Sequence, residues 1–243
     1  MNFPTISDAD RRCRKRYCEL RRLARRHGPD LEDIQRSSAH YIDCFNGHYW
    51  VKPAAYAPTG VALGSPLPNP AFTRRLLRLT RCIANYIKRR CPDCGPALAY
   101  VPSNAYHVTL ANRSHFDEGD TPTAPIASYE LNKIRELIST GEYGPLDIHF
   151  EGLILTTSGR LIVPGFPCND RFFKLRMALV ENIPALRANI PNTTHIKLAH
   201  LYWIPEDAHW GELLDWVARC GEHISVRIQF TSIYTPLAIL PLA

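Results

Sequence analysis

No stretch of this 243-residue chain approaches the roughly 18 consecutive apolar residues that a membrane-spanning helix needs. The first residues, "MNFPTISDADRRCRKRY", contain no apolar core of the kind a secretory signal carries. These two absences point to a cytoplasmic protein with no membrane partner. The eight cysteines also lack the arrangement that would give them a structural role. A long chain without an export signal is expected to keep its thiols free. "CPDC", Cys91 to Cys94, is a lone CxxC, with no second pair to complete the four ligands of a structural zinc site. It follows a basic helical pattern and precedes Gly95-Pro96, whereas a redox CxxC opens a helix after a strand, so a turn is expected there. A glycine-rich phosphate loop is missing too. "GVALGSPLPNP" has no following Lys-Ser/Thr and too many prolines. No serine nucleophile elbow is present. The sequence implies no metal and no cofactor.

Acidic residues are scarce in one place only. Residues 11–26, "RRCRKRYCELRRLARR", hold nine Lys/Arg against one Glu, a charge of +8, while the rest of the chain sums to −2. Cys13, Tyr17, Leu20 and Ala24 fall at helical spacing within the segment, and Ser7 with Asp10 resembles a helix start. The pattern predicts a helix with one packed stripe and a cationic remainder. Such a face would attract nucleic acid or another polyanion, or simply remain solvated.

Beyond it the chain alternates strand and helix patterns. Residues 40–52 suit one or two aromatic strands, and a Pro- and Gly-rich stretch follows. A helix is predicted over 71–90, with Leu76, Leu79, Ile83 and Ile87 inward. A short strand over 97–101 and an alternating strand over 105–112 come next. A second helix covers 126–140, with Ile126, Leu131, Ile134, Leu137 and Ile138 inward. "LDIHFEGLILTTSGRLIVPG" reads as a hairpin turning near Ser158-Gly159. Helix 170–183, strand 194–204, a helix ending at Gly221 and a final strand complete the pattern.

Two strands carry histidines in matching contexts, "YHVTL" at 106–110 and "THIKL" at 194–198. Both read His-apolar-(Thr or Lys)-Leu, and each sits in a half that runs strand pair, helix, histidine strand, helix, strand. Alternate side chains of a strand share a face. His107 and Thr109 therefore point one way, opposite to Tyr106, Val108 and Leu110. His195 and Lys197 point one way, opposite to Ile196, Leu198 and His200. By the same parity His200 and Tyr202 are packing residues. The fold class implied is α+β, two-lobed, with two antiparallel sheets and outer helices facing across a central cleft. The N-terminal segment is 1–39 and the lobes are 40–144 and 145–243. With the histidine faces opposed, the cleft would hold two imidazoles, a hydroxyl and an ammonium, a set that suits a phosphate. Imidazoles can exchange protons near neutral pH, and Thr and Lys can hold phosphate oxygens.

"YHVTL" and "THIKL", so placed, resemble the paired His-x-Thr/Ser motifs of the two-histidine (2H) phosphoesterase superfamily. The resemblance spans about residues 40 to 235 and extends to "HIKLAHL" and to the helix "RFFKLRMAL". It implies a metal-independent phosphodiesterase acting on a nucleotide or RNA-derived phosphodiester, cyclic or 2′–5′. His107, Thr109 and His195 would be catalytic. Lys197 departs from the family's Thr/Ser, and Lys197 beside His195 would favour neutral His195 as general base, leaving His107 as general acid. Tyr49 and Trp50 are candidates to stack a base, and Arg113 and His115 to line the cleft mouth. His149 reads as structural. Other readings stay open: a non-catalytic nucleotide- or RNA-binding protein, or an enzyme using the His/Lys cleft for lyase, lactonase or isomerase chemistry. For Lys197 the plain alternative is an exposed lysine on an edge strand.

Overall fold

The computed structural model describes residues 8–34, 42–45, 48–51, 58–63, 67–90, 98–101, 103, 106–112, 127–184, 186, 193–201, 207–231 and 233–238. Helix α1 spans Asp8–His27. Among the described residues, the hairpin strands β1 (Ile42–Phe45) and β2 (His48–Val51) pair with each other and with no other strand. Strand β3 (Pro58–Leu63), helix α2 (Pro70–Arg90), β4 (Leu98–Tyr100), β5 (Val108–Asn112) and α3 (Ser128–Ser139) follow. The rest of the chain gives β6 (Leu146–Glu151), β7 (Ile154–Leu155), β8 (Arg160–Pro167), α4 (Arg171–Asn182), β9 (Thr194–Leu201), α5 (Asp207–Gly221), β10 (Ser225–Phe230) and β11 (Ile233–Ala238).

The helices form where apolar residues recur at helical spacing. In α2 these are Phe72, Leu76, Ile83 and Ile87, all buried. Asn69 caps that helix, its side-chain oxygen accepting the Phe72 N–H at 3.0 Å. Leu79, expected inward, is only partly buried. In α3, Ile134 is fully buried, Leu131, Leu137 and Ile138 partly so, and Ile126 lies outside the described residues. In α1 the predicted stripe holds: Cys13, Tyr17 and Ala24 are buried and Leu20 is partly buried. Ser7 lies outside the described residues.

The structure is a mixed α+β protein built on a curled antiparallel sheet. The expectation of two sheets facing one another is corrected. Among the described residues, nine strands form one continuous sheet, in the order β10-β6-β8-β9-β5-β3-β11, with β4 beside β9 and β7 beside β8. The two histidine strands are neighbours at its centre, paired at Val108↔Ile196. Side-by-side pairing satisfies backbone groups that two separate sheet edges would leave bare. The single closing strand read over the C-terminal segment is two strands. β10 pairs β6 at one edge and β11 pairs β3 at the other, so the chain's end completes the first half of the sheet.

The larger core lies on the face that carries Val108, Leu110, Val163, Ile196 and Leu198, packed under the helices. A smaller cluster of Cys13, Tyr17, Ile154, Ile162 and Phe166 holds α1 against the other face. The predicted turn near Ser158-Gly159 joins β7 to β8. Gly159 has φ +75°, and an added Cβ would stand 2.6 Å from the Leu201 carbonyl oxygen. Gly141 has φ +69° but open space around it. Gly159→Ala should therefore cost about 2–4 kcal/mol, from left-handed strain plus a backbone clash, and Gly141→Ala about 1 kcal/mol, from strain alone. Thermal melts of the two variants check the ranking.

Candidate functional site

The site is built from the centre of the sheet outwards. Val108 and Ile196 are directly opposite and wholly buried. The strands run antiparallel, so the residues flanking this pair face each other on the other side of the sheet. Strand alternation about this pair puts His107 and Thr109 of one strand beside His195 and Lys197 of the other. All four side chains are half-buried, while those of the alternate residues are buried in the core. The predicted quartet is thus brought together, but as neighbours on one sheet face. β9 is flanked by β8 on one side and by β5 and β4 on the other, so Lys197 does not lie on an edge strand.

Both motif strands then break their alternation at the same point. Against β3, Thr109 pairs with Ala62 and Ala111 with Val61, which passes over Leu110. Against β8, Lys197 pairs with Ile162 and Ala199 with Leu161, which passes over Leu198. Each is a one-residue bulge at the Leu of a Leu-Ala pair, and a bulge inverts the side-chain parity beyond it. The assignment of His200 to the packing face is corrected on this ground. His200 pairs with Arg160, two residues along regular β8 from Ile162, which is opposite Lys197. The extra residue turns His200 onto the face of His195 and Lys197. It is fully buried there, close to the backbone of Ile34. Tyr202 lies outside the described residues.

Arg176 of α4 is a further residue that the motif spacing did not indicate. It is 3% exposed and donates three hydrogen bonds. Nε bonds the Leu110 carbonyl at 2.8 Å, Nη2 the Thr109 carbonyl at 3.0 Å and Nη1 the Thr193 carbonyl at 3.1 Å. β5 and β9 share only the Val108↔Ile196 pair, and beyond it the guanidinium ties one strand to the other. Its planar fork of donors suits carbonyls that diverge. The rings of Phe172 and Phe173 lie beneath it at 4.5 and 5.4 Å. Tyr17 of α1 also joins the motif, for its hydroxyl donates to the Thr194 carbonyl and accepts the Thr194 N–H at 2.9 Å. The basic helix therefore contacts the residue next to His195.

Among the described residues, the charged neighbours that shift the titration of this face are basic. Burial pushes His195 down to about 3, with further lowering from Arg160, His107, Arg176 and Lys197. Although the residue keeps some exposed surface, protein crowds its ring, and four cationic or potentially cationic neighbours oppose its protonation. Burial and then Arg160 push the Lys197 ammonium down to about 7. Burial, Lys197 and Arg160 push His200 down to about 3, against the nearby Ile34 backbone, which raises it. At neutral pH His195 and His200 are neutral and Lys197 is poised between its two states. An anion is the natural complement to such a field.

The remaining predicted residues separate from this group. Tyr49 and Trp50 belong to β2, which is not part of the nine-stranded sheet, and their side chains lie outside the described residues. Arg113 and His115 also lie outside the described residues. His149 is on β6, beyond β8, with Nε2 3.6 Å from Glu151 Oε2. A groove of about 590 Å³ lies elsewhere, lined by Arg25, Arg26, Leu31, Trp210 and Asp215 among others. Among the described residues no group of three or more His, Cys, Asp or Glu side chains is placed to hold a metal ion, and no helix is long and apolar enough to cross a membrane. No family model matches the chain, and no curated protein matches it.

Lys197 gives the site a measurable signature. Its folded pKa of about 7 lies below the ordinary 10.5. Between those values the unfolded chain holds a proton that the folded chain lacks, so stability rises with pH across this window. Below pH 7 the whole cost of burying the ammonium is present. Lys197→Met should raise Tm at pH 6, by on the order of 1–4 kcal/mol of stability. The gain should shrink steadily towards pH 10, as followed by thermal melts across that range.

Proposed function

We propose that this protein is a metal-independent phosphodiesterase of the two-histidine type, acting on a nucleotide or RNA-derived phosphodiester, cyclic or 2′–5′. The observation that carries the reading is the quartet: His107 and Thr109 beside His195 and Lys197, half-buried on one face of adjacent central strands. In this reading His195 removes the proton of the attacking hydroxyl or water. His107 protonates the leaving oxygen. Thr109 donates to a non-bridging oxygen, and Lys197 offsets the charge that develops on phosphorus. Arg176 positions both motif strands from outside the reacting atoms.

A base as weak as the ligand-free His195 is poorly matched to work near pH 7. The substrate corrects this. A bound phosphate brings negative charge to the face and raises the basicity of His195 and of Lys197 together. The same feature favours a second reading. If the phosphate raises His195 too little, the face binds nucleotides or RNA without turning them over. The exposed arginines of α1 beside the site, Arg12 and Arg22 among them, would then supply affinity. Both readings require an anion at the face.

The test is turnover of 2′,3′-cyclic nucleotides, 2′–5′ dinucleotides and cyclic dinucleotides in EDTA. His107→Ala and His195→Ala should each lower kcat/KM about 10²–10⁴-fold on any substrate that turns over. Binding of these compounds without turnover would establish the second reading, and neither binding nor turnover would overturn both. The pH profile supplies an independent check. Because Lys197 loses its charge near 7 in the free protein, wild-type kcat/KM should fall as pH rises through about 7. In Lys197→Arg, where the charge persists, that limb should move to higher pH.

A further inference from the structure

Helices α2 and α5 belong to opposite halves of the chain and meet in a regular ladder. Arg90 Nη2 is 3.3 Å from Glu212 Oε2. The rings of Tyr86 and Trp216 stack with centroids 4.7 Å apart and planes 16° from parallel. From the first rung to the second, the chain steps back four residues on α2 and forward four on α5. The helices are thus antiparallel here, and each rung lies about one helical turn from the last. One more step back along α2 reaches Cys82, and one more forward along α5 reaches Cys220. Cys82 is exposed and Cys220 is partly buried, and both thiols are free. The Cys220 thiol is pushed up by burial and then by Cys82, which places the two sulfurs near each other.

We propose that Cys82 and Cys220 are a reversible redox pair, whose disulfide forms the third rung and links the two halves of the chain. The oxidant is a low-molecular-weight disulfide such as oxidised glutathione. The Cys82 thiolate, left by loss of a proton, attacks one glutathione sulfur. The S–S bond of the oxidant breaks, and one glutathione thiolate leaves with the bonding pair. The Cys220 thiolate then attacks Cys82 Sγ in the mixed disulfide and expels the second glutathione. Two protein thiols are oxidised to one disulfide while one oxidised glutathione is reduced to two thiols. Cys82, Cys18 and Cys168 are all exposed to the oxidant, and the ladder sets Cys82 beside Cys220, the thiol that resolves its mixed disulfide. Cys13 is wholly buried, with its thiol pushed up to about 12, so it does not compete. The bond would close a loop of well over a hundred residues, the case in which a cross-link restricts the unfolded chain most.

The test incubates the whole protein with oxidised glutathione and maps the tryptic peptides by mass spectrometry without reduction. The peptides carrying Cys82 and Cys220 should be joined. The monomer's Tm should rise by about 5–10 °C and return on addition of dithiothreitol. Neither effect should occur in Cys82→Ser or in Cys220→Ser, whose reduced forms should melt close to reduced wild type. Stable glutathione adducts on Cys82 that never resolve would overturn the proposal, as would an intramolecular link between other cysteines. No modification of either thiol would overturn it as well. The site face takes no part in these readouts, so the outcome is independent of whether a phosphodiester is cleaved.

Discussion

The pairing of Val108 with Ile196 is the contact on which the site depends. Among the described residues it is the only direct ladder pair between β5 and β9, and it joins the two halves of the sheet at their centre. Both side chains are wholly buried under the helices. That burial fixes the register, because a slip of one residue would bring the histidines into the core and the valine and isoleucine out of it. Once register is fixed, the positions of His107, Thr109, His195 and Lys197 follow from strand geometry. Arg176 secures the junction where the ladder stops. Its three bonds to carbonyls on both strands replace the ladder bonds that the diverging backbones cannot make to each other.

A second constraint opposes the first. The face that the register exposes collects basic groups and places them where protein has displaced water. His195, Lys197 and His200 all have their charged forms disfavoured by that displacement, and Arg160 adds to each. The free protein lowers the resulting repulsion by leaving His195 and His200 neutral. Such an arrangement is unfavourable for stability and favourable for holding an anion. Helix α1 extends the same logic at the surface. Its apolar stripe packs on Ile154, Ile162 and Phe166, and Tyr17 grips the Thr194 backbone. Some of its arginines are neutralised, Arg14 by Asp10 and Glu151 and Arg25 by Asp215, while Arg12, Lys15 and Arg22 face solvent.

The sequence by itself determined the local elements and the content of the quartet. Helical spacing located α1 and α2 to within a few residues, and strand alternation put His107 with Thr109 and His195 with Lys197, because these are properties of short stretches. The tertiary structure decided what stands opposite what. Parity along one strand holds no information about which strand lies beside it, so two facing sheets and one continuous sheet were equally compatible with the pattern. The same limit concealed Arg176, whose partners are carbonyls distant in sequence. His200 is the instructive case. Its parity was counted through Leu198-Ala199, where the alternation fails. The doubled apolar pair was visible in "HVTLAN" and "HIKLAH" alike, but only the neighbouring strands, β3 and β8, show that each pair accommodates a bulge. A bulge is a mismatch between two chains of hydrogen-bonding groups, and one strand read alone cannot display it.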